Sequence, residues 1–331
     1  MGEVITMSHG SGGRLMHRLI ADLFQEAFGK GDGDDAARLP APAGPLAFSV
    51  DGFVIKPLEF PGGDVGKLAV CGTVNDLAAA GARPEWFSAS FILEEGLEID
   101  LLRRVVASMA RTAREAGVKV VTGDTKVVER GAAEGLFITT SGVGPIYDGT
   151  DIRGDGARPG DFLVVTGTVA DHGAAVMMAR QGLELSATLQ SDCAPLAGLV
   201  GAALTAGLEI HAMRDPTRGG LATTLVEIAG QSRVRIFLEE ERVPLAPPVR
   251  QACDLLGLDP LYVANEGKMI VVLPPGEAGP FLEIAREHPY GRQAAVVGRV
   301  EGGEPGVVLE TTVGGRRPLV MLEGDPLPRI C

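Results

Sequence analysis

The sequence has 331 residues, 45% of them hydrophobic, which is enough for two ordinary α/β domains. Its formal net charge of −13 excludes a general binder of nucleic acid or of anionic membranes, because phosphate groups select basic surfaces. No apolar run approaches the roughly 18 residues that span a bilayer, and the polar, glycine-rich start predicts no secretory signal, so we expect a cytoplasmic protein.

The first half of the chain alternates helical and strand-like patterns. Apolar residues recur every four positions over 15–28, which predicts an amphipathic helix, and the Gly-, Asp-, Ala- and Pro-rich residues 29–43 predict a surface loop. Strand patterns follow at 46–50, 87–93, 118–122 and 136–143, and helical patterns at 65–80 and 101–116.

A cluster of Gly, Asp and Pro at 149–160 separates a second unit of the same kind. Its strand patterns are 162–166, 234–238, 269–273, 294–300 and 307–310, and its helical patterns are 174–181, 196–206, 221–229 and 249–256. We therefore predict four segments. They are an N-terminal glycine loop, helix and linker (1–44), two α/β domains (45–155 and 156–322) and a flexible tail (323–331).

Several acidic residues lie at predicted strand ends or helix starts, beside glycine or a polar residue. They are Asp51, Asp76 (which follows Asn75), Asp124 and Asp215. Carboxylate and amide oxygens suit Mg²⁺, and such a cluster holds nucleotide phosphates through the metal despite an acidic chain. Each residue alone is explained more simply by a helix cap or a turn, so only the set favours a metal-nucleotide site.

Lysines and glycines near these sites are candidates for phosphate binding. Lys56, Lys67 and Lys126 each follow an acidic site closely, although each is equally consistent with an ordinary surface lysine. The glycine loop at 9–13 leads into the first helix, so either its N–H groups cover an anion or it is a flexible terminus. Neither GxGxxG nor GxxxxGK[ST] occurs, which argues against a Rossmann or P-loop site.

The remaining candidates are a glutamate and the cysteines. Glu266 precedes an apolar strand, where its carboxylate is either a general base or, more simply, a solvated loop residue. The five histidines show no metal or triad spacing, so none is assigned to metal binding or catalysis. Cys71, Cys193 and Cys253 suit small core positions. Cys331 follows alternating prolines, which predict an extended, movable arm with a thiol at its tip, unless the thiol is incidental.

Blocks of sequence, in order over essentially the whole chain, resemble the HypE family of hydrogenase expression/formation proteins. The blocks are HGSGG (9–13), FPGGDVGKLAVCGTVNDLAAAGARP (60–84), TGDTKVV (122–128), RDPTRGGLATTL (214–225), VANEGK (263–268) and LPRIC (327–331). Looser forms of several blocks occur in aminoimidazole ribonucleotide synthetase, selenophosphate synthetase and thiamine monophosphate kinase, whereas the PRIC ending belongs to HypE.

The resemblance implies an α/β fold of the α+β type, a PurM-like two-domain subunit whose N-terminal domains pair into a barrel across a homodimer. It also implies ATP and Mg²⁺ in a cleft between the domains. The implied metal ligands are Asp51, Asp76, Asp124 and Asp215. The implied phosphate contacts are His9, Gly10, Gly12, Gly13, Lys56, Lys67 and Asn75.

The resemblance further implies the reaction of a carbamoyl dehydratase. In the family, HypF transfers a carbamoyl group to the C-terminal cysteine, here Cys331. ATP then drives the loss of water, and the resulting thiocyanate passes to iron on the HypC–HypD complex as the cyanide ligand of [NiFe]-hydrogenase. Glu266 and Lys126 are the implied candidates for removing the nitrogen protons.

Two alternatives remain open on the residues alone. Another ATP-using enzyme of the superfamily is one, although selenophosphate synthetase would need a Cys or Sec in the glycine loop, and residues 9–13 contain no thiol. The other is a nucleotide-sensing module without catalysis, in which the tail is a docking peptide. Such a module would have no need of the Cys331 thiol.

Overall fold

Two β-sheets, one in each half of the chain, organise the structure and confirm the predicted α/β class. The structure is a computed structural model that describes residues 3–30, 34, 36–183, 189–324, 327 and 329–331. In that part of the chain, no helix combines the length and the apolar content needed to cross a membrane.

The first unit contains a four-stranded sheet with helices on one face. Its elements are α1 (Arg14–Leu19), the π-helical turn Ile20–Gln25, α2 (Glu26–Phe28), β1 (Leu46–Phe53), β2 (Glu59–Phe60), β3 (Gly63–Asp64), α3 (Val65–Ala79), β4 (Trp86–Glu94), α4 (Ile99–Ala116), β5 (Lys119–Val128) and β6 (Leu136–Pro145). The sheet order is β1-β6-β4-β5, with β4 and β5 parallel and the other neighbours antiparallel.

Helix α3 lies buried between this sheet and α4, because its sequence is apolar on nearly all sides. Asp64 caps it by accepting hydrogen bonds from two N–H groups of the first turn (2.8 and 3.0 Å). The hydroxyl groups of Thr73 and of Thr140 in β6 lie 2.7 Å apart, which ties the helix to the sheet. The C-terminal half of α3 therefore carries Asn75 and Asp76 to a fixed position.

The opposite face of the first sheet is exposed and partly apolar. Phe48 and Val50 of β1 are 71% and 62% exposed. Val50 is paired with Ser141 of β6. Asp124 of β5 lies on the same face as Val50, in the next row of paired residues across the sheet. An exposed apolar face of this kind is typical of a surface that binds another protein.

The second unit is built on a larger mixed sheet. Its elements are β7 (Phe162–Val165), α5 (Asp171–Arg180), α6 (Ala197–Thr205), β8 (Ala212–Arg214), α7 (Gly220–Ser232), β9 (Arg235–Glu239), α8 (Pro247–Leu256), β10 (Ile270–Leu273), α9 (Pro275–Glu287), β11 (Ala295–Glu301), β12 (Gly306–Glu310) and β13 (Arg316–Leu319). The sheet order is β13-β12-β9-β11-β7-β10-β8. Leu163 packs with residues of α7 on one face, and Val164 packs with α6 and α9 on the other.

The structure departs from the predicted elements at a few places. Strand β5 continues past the predicted end at 122, because it pairs with β4 along its length. Helix α9 was not predicted, since its prolines and glycines have low helix propensity, and β8 and β13 were missed because they are short. The predicted loop at 29–43 and the tail lie partly outside the described residues, and the four segment boundaries stay predictions.

Asn75 joins the two units. Its side chain is 1% exposed, and its Nδ2 donates to the carbonyl oxygens of Ala194 (3.1 Å) and Glu266 (3.3 Å). Its Oδ1 accepts from the N–H of Leu196 (2.8 Å). These backbone groups belong to irregular segments of the second unit, so a side chain has to satisfy them.

We expect Asn75→Ala to lower the free energy of unfolding by about 2–4 kcal/mol, because buried backbone groups lose their partners. Denaturant unfolding followed by Trp86 fluorescence measures this. Thr73→Val on the same helix is a matched control, since it removes a hydrogen bond within the first unit and should cost about 1 kcal/mol. If Asn75→Ala lowered the free energy of unfolding by no more than Thr73→Val does, this would contradict the role of Asn75 in joining the two units.

Candidate active site

Three of the predicted metal ligands lie together where the two units meet. Asp51 belongs to β1, Asp76 to α3, and Asp215 to the turn between β8 and α7. The Ser49 hydroxyl donates to Asp76 (2.6 Å). A Cβ at Gly72 would lie 2.8 Å from the Phe53 ring and 3.2 Å from the Asp51 carboxylate, so the glycine leaves room for both side chains.

These carboxyl groups oppose one another's ionisation. Burial raises the pKa of Asp51, and the charge of Asp76 adds to the rise. Burial also raises the pKa of Asp76, against the hydrogen bond from Ser49 and the charge of Arg214. Burial raises the pKa of Asp215 to about 7, with further contributions from the two other carboxylates. A cation among them would relieve this repulsion.

The donor set suits Mg²⁺ that arrives with a phosphate. Within the described residues, no group of three or more His, Cys, Asp or Glu side chains forms a ready-made metal cage. Proteins commonly hold Mg²⁺ with one or two carboxylates, water and substrate phosphates. The acidic cluster of Asp51, Asp76 and Asp215 fits that mode.

Two glycines shape the turn that carries Asp215. Gly219 and Gly220 have φ angles of 78° and 60°, which favour glycine. A Cβ at Gly220 would lie 2.6 Å from the carbonyl oxygen of Val263. The start of α7 therefore packs directly on the segment that leads to Glu266.

Glu266 is buried beside the acidic cluster. Its side chain is 3% exposed, and Oε1 has no hydrogen-bond partner among the described residues. Burial raises the pKa of Glu266 well above its ordinary value, and neighbouring Cys193 and Asp215 add to the rise. A buried carboxyl group with a perturbed pKa and an unpartnered oxygen is typical of a catalytic acid or base.

Neither Asp192 nor Lys268 was predicted, yet both hold the backbone around Glu266. The Asp192 carboxylate accepts from the N–H groups of Glu266 and Gly267 (both 3.1 Å) and pairs with Lys268 Nζ (3.2 Å). Burial opposes ionisation of Asp192, but Lys268 and these hydrogen bonds keep its pKa below the ordinary value. Lys268 could have been predicted from its place in VANEGK (263–268), whereas Asp192 lies outside the blocks that resemble the HypE family.

A second group of predicted residues lies apart, at the edge strand β5. Lys126 Nζ donates to both carboxylate oxygens of Asp124 (2.7 and 2.5 Å), which lowers the pKa of Asp124. The glycine loop lies beside them, since a Cβ at Gly10 would be 2.8 Å from the Cβ of Val127. His9 is buried, and its Nδ1 accepts a backbone N–H (3.1 Å).

In one chain, Asp124 cannot share a metal ion with Asp51. The two residues lie on strands at opposite edges of a four-stranded sheet, about 14 Å apart at ordinary strand spacing, and they face opposite sides of it. The structure thus brings together three of the four predicted metal ligands. The role of Asp124 stays a prediction.

The other predicted phosphate contacts occupy varied positions. Lys67 Nζ donates to the carbonyl oxygen of Gly62 (3.0 Å), and Lys56 is exposed after β1. Gly12 and Gly13 are exposed at the start of α1. The Asn75 amide is occupied by the backbone contacts described above. Phosphate binding by these residues stays a prediction.

The described residues of the tail pack onto the same chain. Leu327 and Ile330 are 3% and 1% exposed, and Cys331 is partly exposed. The N–H of Val54, just after β1, donates to an oxygen of the terminal carboxylate of Cys331 (3.2 Å). The tail is therefore docked here, residues 325–326 and 328 lie outside the described part, and its movement stays a prediction.

Comparison with known proteins covers nearly the whole chain. Residues 33–146 match the N-terminal domain of AIR synthase related proteins, and residues 158–310 match the C-terminal domain. Hydrogenase expression/formation protein HupE of Azotobacter chroococcum mcd 1 is 52% identical over 331 residues, covering 99% of this chain and 97% of the relative. Carbamoyl dehydratase HypE of Rhodobacter capsulatus is 50% identical over 335 residues, covering 99% and 98%.

Solved structures agree with these matches. Hydrogenase maturation protein HypE in complex with ATP has a TM-score of 0.95 at 51% identity, covering 98% of this chain and 99% of that one. The HypE–HypF complex has a TM-score of 0.82 at 44% identity, covering 94% and 100%. Thiamine-monophosphate kinase from Stenotrophomonas maltophilia K279a (TM-score 0.67, 21% identity, covering 94% and 99%) shares the fold alone. The predicted PurM-like two-domain fold is confirmed, and its pairing into a barrel stays a prediction.

We expect Asp215→Asn to raise the melting temperature of the metal-free protein at pH 8, because it removes one of three charges that repel one another. The folded-state pKa of Asp215, raised to about 7, lies above its unfolded value, so its contribution to stability falls as the pH rises from about 4 to about 7. The gain in melting temperature should therefore be smaller at pH 5.5 than at pH 8. Scanning fluorimetry in EDTA measures it, with exposed Asp148→Asn as the control. An equal gain at both pH values would contradict this account.

Proposed function

The chain belongs to the HypE family of hydrogenase expression/formation proteins, and from this we propose that it is an ATP-dependent carbamoyl dehydratase acting on its own Cys331. The reaction converts an S-carbamoyl group to a thiocyanate. That product supplies the cyanide ligand for the iron of [NiFe]-hydrogenase.

The observation that carries this proposal is the docked position of Cys331. Its terminal carboxylate accepts a hydrogen bond from the N–H of Val54, which follows the strand that carries Asp51. The residue that bears the thiol therefore lies next to an element of the acidic cluster. A module that only senses nucleotide would have no use for a thiol held there.

The reaction needs ATP because the oxygen of an amide is a poor leaving group. The thiocarbamate oxygen attacks the γ-phosphorus, which breaks the bond to ADP and forms a phosphate ester. The C–O bond then breaks, so the carbamoyl oxygen leaves in inorganic phosphate. Both nitrogen protons pass to bases or solvent as the C≡N bond forms.

We assign proton removal to Glu266, with Lys126 as a second candidate. The raised pKa of Glu266, caused by burial, makes it a strong base once it is ionised. Asp192 and Asn75 hold the backbone on both sides of this residue, so its carboxyl group keeps a defined place. The amino group of Lys126 forms an ion pair with Asp124 in this structure, which makes it the second candidate.

We assign Mg²⁺ to Asp51, Asp76 and Asp215, where it would offset the charge on the phosphates. Their mutual repulsion supports this assignment, since it adds to the effect of burial on the pKa values and a divalent cation would offset it. Lys56, Lys67, Asn75 and the loop of His9, Gly10, Gly12 and Gly13 are the proposed nucleotide contacts.

We further propose a homodimer that pairs through the exposed face of the first sheet. The exposure of Phe48 and Val50 supports this pairing. Asp124 and Lys126 lie on the same face, too far from Asp51 of their own chain to act with it. Each site would then take Asp124, Lys126 and the glycine loop from the second copy.

The proposed partners follow the reaction. HypF is the carbamoyl donor, and the solved HypE–HypF complex of relatives supports this pairing. The HypC–HypD complex is the proposed acceptor of the cyanide group. We place all of these steps in the cytoplasm.

With HypF, carbamoyl phosphate and ATP, we expect Cys331 to gain a carbamoyl group and then to lose the mass of one water when fresh MgATP is added. Intact-mass spectrometry follows both steps. Cys331→Ser should show neither, whereas Cys253→Ser, at a buried core position, is the matched control and should show both. Glu266→Gln should accumulate the carbamoyl form, because it lacks the base. ATP turnover that is insensitive to the loss of Cys331 would point instead to a small-molecule kinase or synthetase.

A mixing experiment tests whether each site is shared between two chains. Asp76→Ala and Asp124→Ala should each be inactive alone. Mixed after reversible dissociation, they should recover about one quarter of wild-type dehydration, because half of the dimers are mixed and one of their two sites is intact. If Asp124 served its own chain's site, every mixed dimer would have two defective sites. No recovery in proven mixed dimers would therefore refute the shared site.

A further inference from the structure

The backbone of the docked tail is bound residue by residue. Arg180 Nη2 donates to the carbonyl oxygen of Arg329 (2.5 Å), and His172 Nε2 lies 2.6 Å from the carbonyl oxygen of Ile330. Together with the bond to the terminal carboxylate of Cys331 described above, three successive residues accept hydrogen bonds from the body of the chain through main-chain oxygens. Two of the three donors belong to helix α5.

We propose that α5 is the receptor for the tail, and that His172 and Arg180 are positioning residues that determine where Cys331 lies. Their hydrogen bonds to the tail described above go to backbone carbonyl groups. The proposal deepens the proposed function and rests on it for its biological purpose. The docking itself is a property of the chain that can be measured without any reaction.

The hydrogen bonds around His172 determine its tautomer. A carbonyl oxygen only accepts, so Nε2 carries the proton that binds Ile330. Ser191 Oγ accepts from the N–H of Cys193 (3.0 Å) and lies 2.8 Å from Nδ1, to which it donates its own proton. Burial lowers the pKa of His172, in keeping with this neutral form. Phe60 packs edge-on against the ring (5.4 Å between centroids).

The residue after His172 makes room for the tail. A Cβ at Gly173 would lie 2.4 Å from Cγ1 of Val263 and 3.2 Å from Cδ1 of Ile330. Ile330 is fully buried there and belongs to the main hydrophobic core. Consecutive residues of α5 thus bind the backbone of Ile330 and accommodate its side chain.

The second donor joins the tail to the loop that follows β1. Arg180 Nε donates to the carbonyl oxygen of Lys56 (2.9 Å) while its Nη2 binds Arg329. Arg329 has a φ of 58°, an unfavourable angle for a residue with a side chain. The hydrogen bonds to carbonyl groups 329 and 330, and an ion pair between Arg329 and Glu134, hold this turn in place.

Backbone recognition suits a tail whose sulfur changes its chemical group. These three contacts use two carbonyl oxygens and one terminal carboxylate oxygen, which are present whether the sulfur is a thiol, a thiocarbamate or a thiocyanate. One receptor can therefore hold every form of the tail. Ser191 adjoins Asp192, so the segment that orients His172 also holds the backbone of Glu266.

The test is the rate at which carboxypeptidase Y releases Cys331 and Ile330 from the native chain, followed by intact mass. Release of buried Ile330 requires undocking. His172→Phe keeps the ring and its packing but loses both hydrogen bonds, and it should speed release at least about tenfold. His172→Gln keeps an N–H donor near the Nε2 position and should restore most of the protection.

His211 offers a matched control, because it is also a buried histidine with two hydrogen-bond partners, Asp161 (2.8 Å) and Glu209 (2.9 Å). His211→Phe should lower the melting temperature without speeding release. Equal release rates in wild type, His172→Phe and His211→Phe would overturn the proposal. Equal acceleration in both variants would also overturn it, because general loosening would then explain the effect.

Ile330→Ala tests the receptor from the tail side and leaves the body of the chain intact, so it answers the question even where His172→Phe does not fold. It should also speed the release of Cys331 at least about tenfold, since it empties the pocket beside Gly173. An unchanged rate would overturn the proposal.

A kinetic readout separates the receptor from the proposed function. In His172→Phe, the maximal rate of water loss from the carbamoylated chain should fall at least about tenfold, with the KM for ATP unchanged. A rise in KM alone would overturn the positioning role. Protection by His172 in a chain that never dehydrates the tail would instead refute the proposed function and leave the receptor standing.

Discussion

The structure depends on the rule that buried backbone polar groups must find partners. Irregular segments of the second unit meet the first unit at the site, and they lack the regular ladders of a sheet. Asn75 binds the segment of Ala194 and that of Glu266, and Asp192 also binds the Glu266 segment. The Oδ1 of Asn265 accepts from Ala170 N (2.8 Å), and its Nδ2 donates to Pro216 O (2.9 Å). The Asp215 turn, the Glu266 segment and the start of α5 are therefore positioned together.

Repulsion between buried carboxyl groups at this junction lowers the stability of the fold when no ligand is bound. Asp51, Asp76 and Asp215 are partly removed from water and close to one another, and Glu266 is fully buried beside them. Such an arrangement costs stability and is typical of a functional site, which supports the proposed cation and substrate. Asp192 differs from these carboxyl groups because the charge of Lys268 balances its own. We therefore infer that Asp192 supports the structure of the site.

Sequence patterns predicted the two units and most of their helices and strands, because apolar periodicity is a local property. They also selected Asp51, Asp76 and Asp215, which the structure brings together. The position of Glu266 favoured a solvated loop residue, which is wrong because Glu266 is buried, and only the family resemblance pointed to its proposed role. The separation of Asp124 from the other carboxylates was not predictable, because it depends on strand order and on which face each residue occupies. His172 and Asp192 were missed for a related reason: their partners are Ile330 and Glu266, distant in the chain.

The exposed face of the first sheet has a consequence for biosynthesis. The strands that form it lie within Leu46–Pro145, so the ribosome delivers this surface before the second unit exists. Phe48 and Val50 then face solvent, and the sheet has open edges that can pair with the wrong strand. In the proposed homodimer, this surface stays exposed after the first unit has folded, until a second copy covers it. Slow synthesis or a low concentration of copies would lengthen the time during which the surface can aggregate.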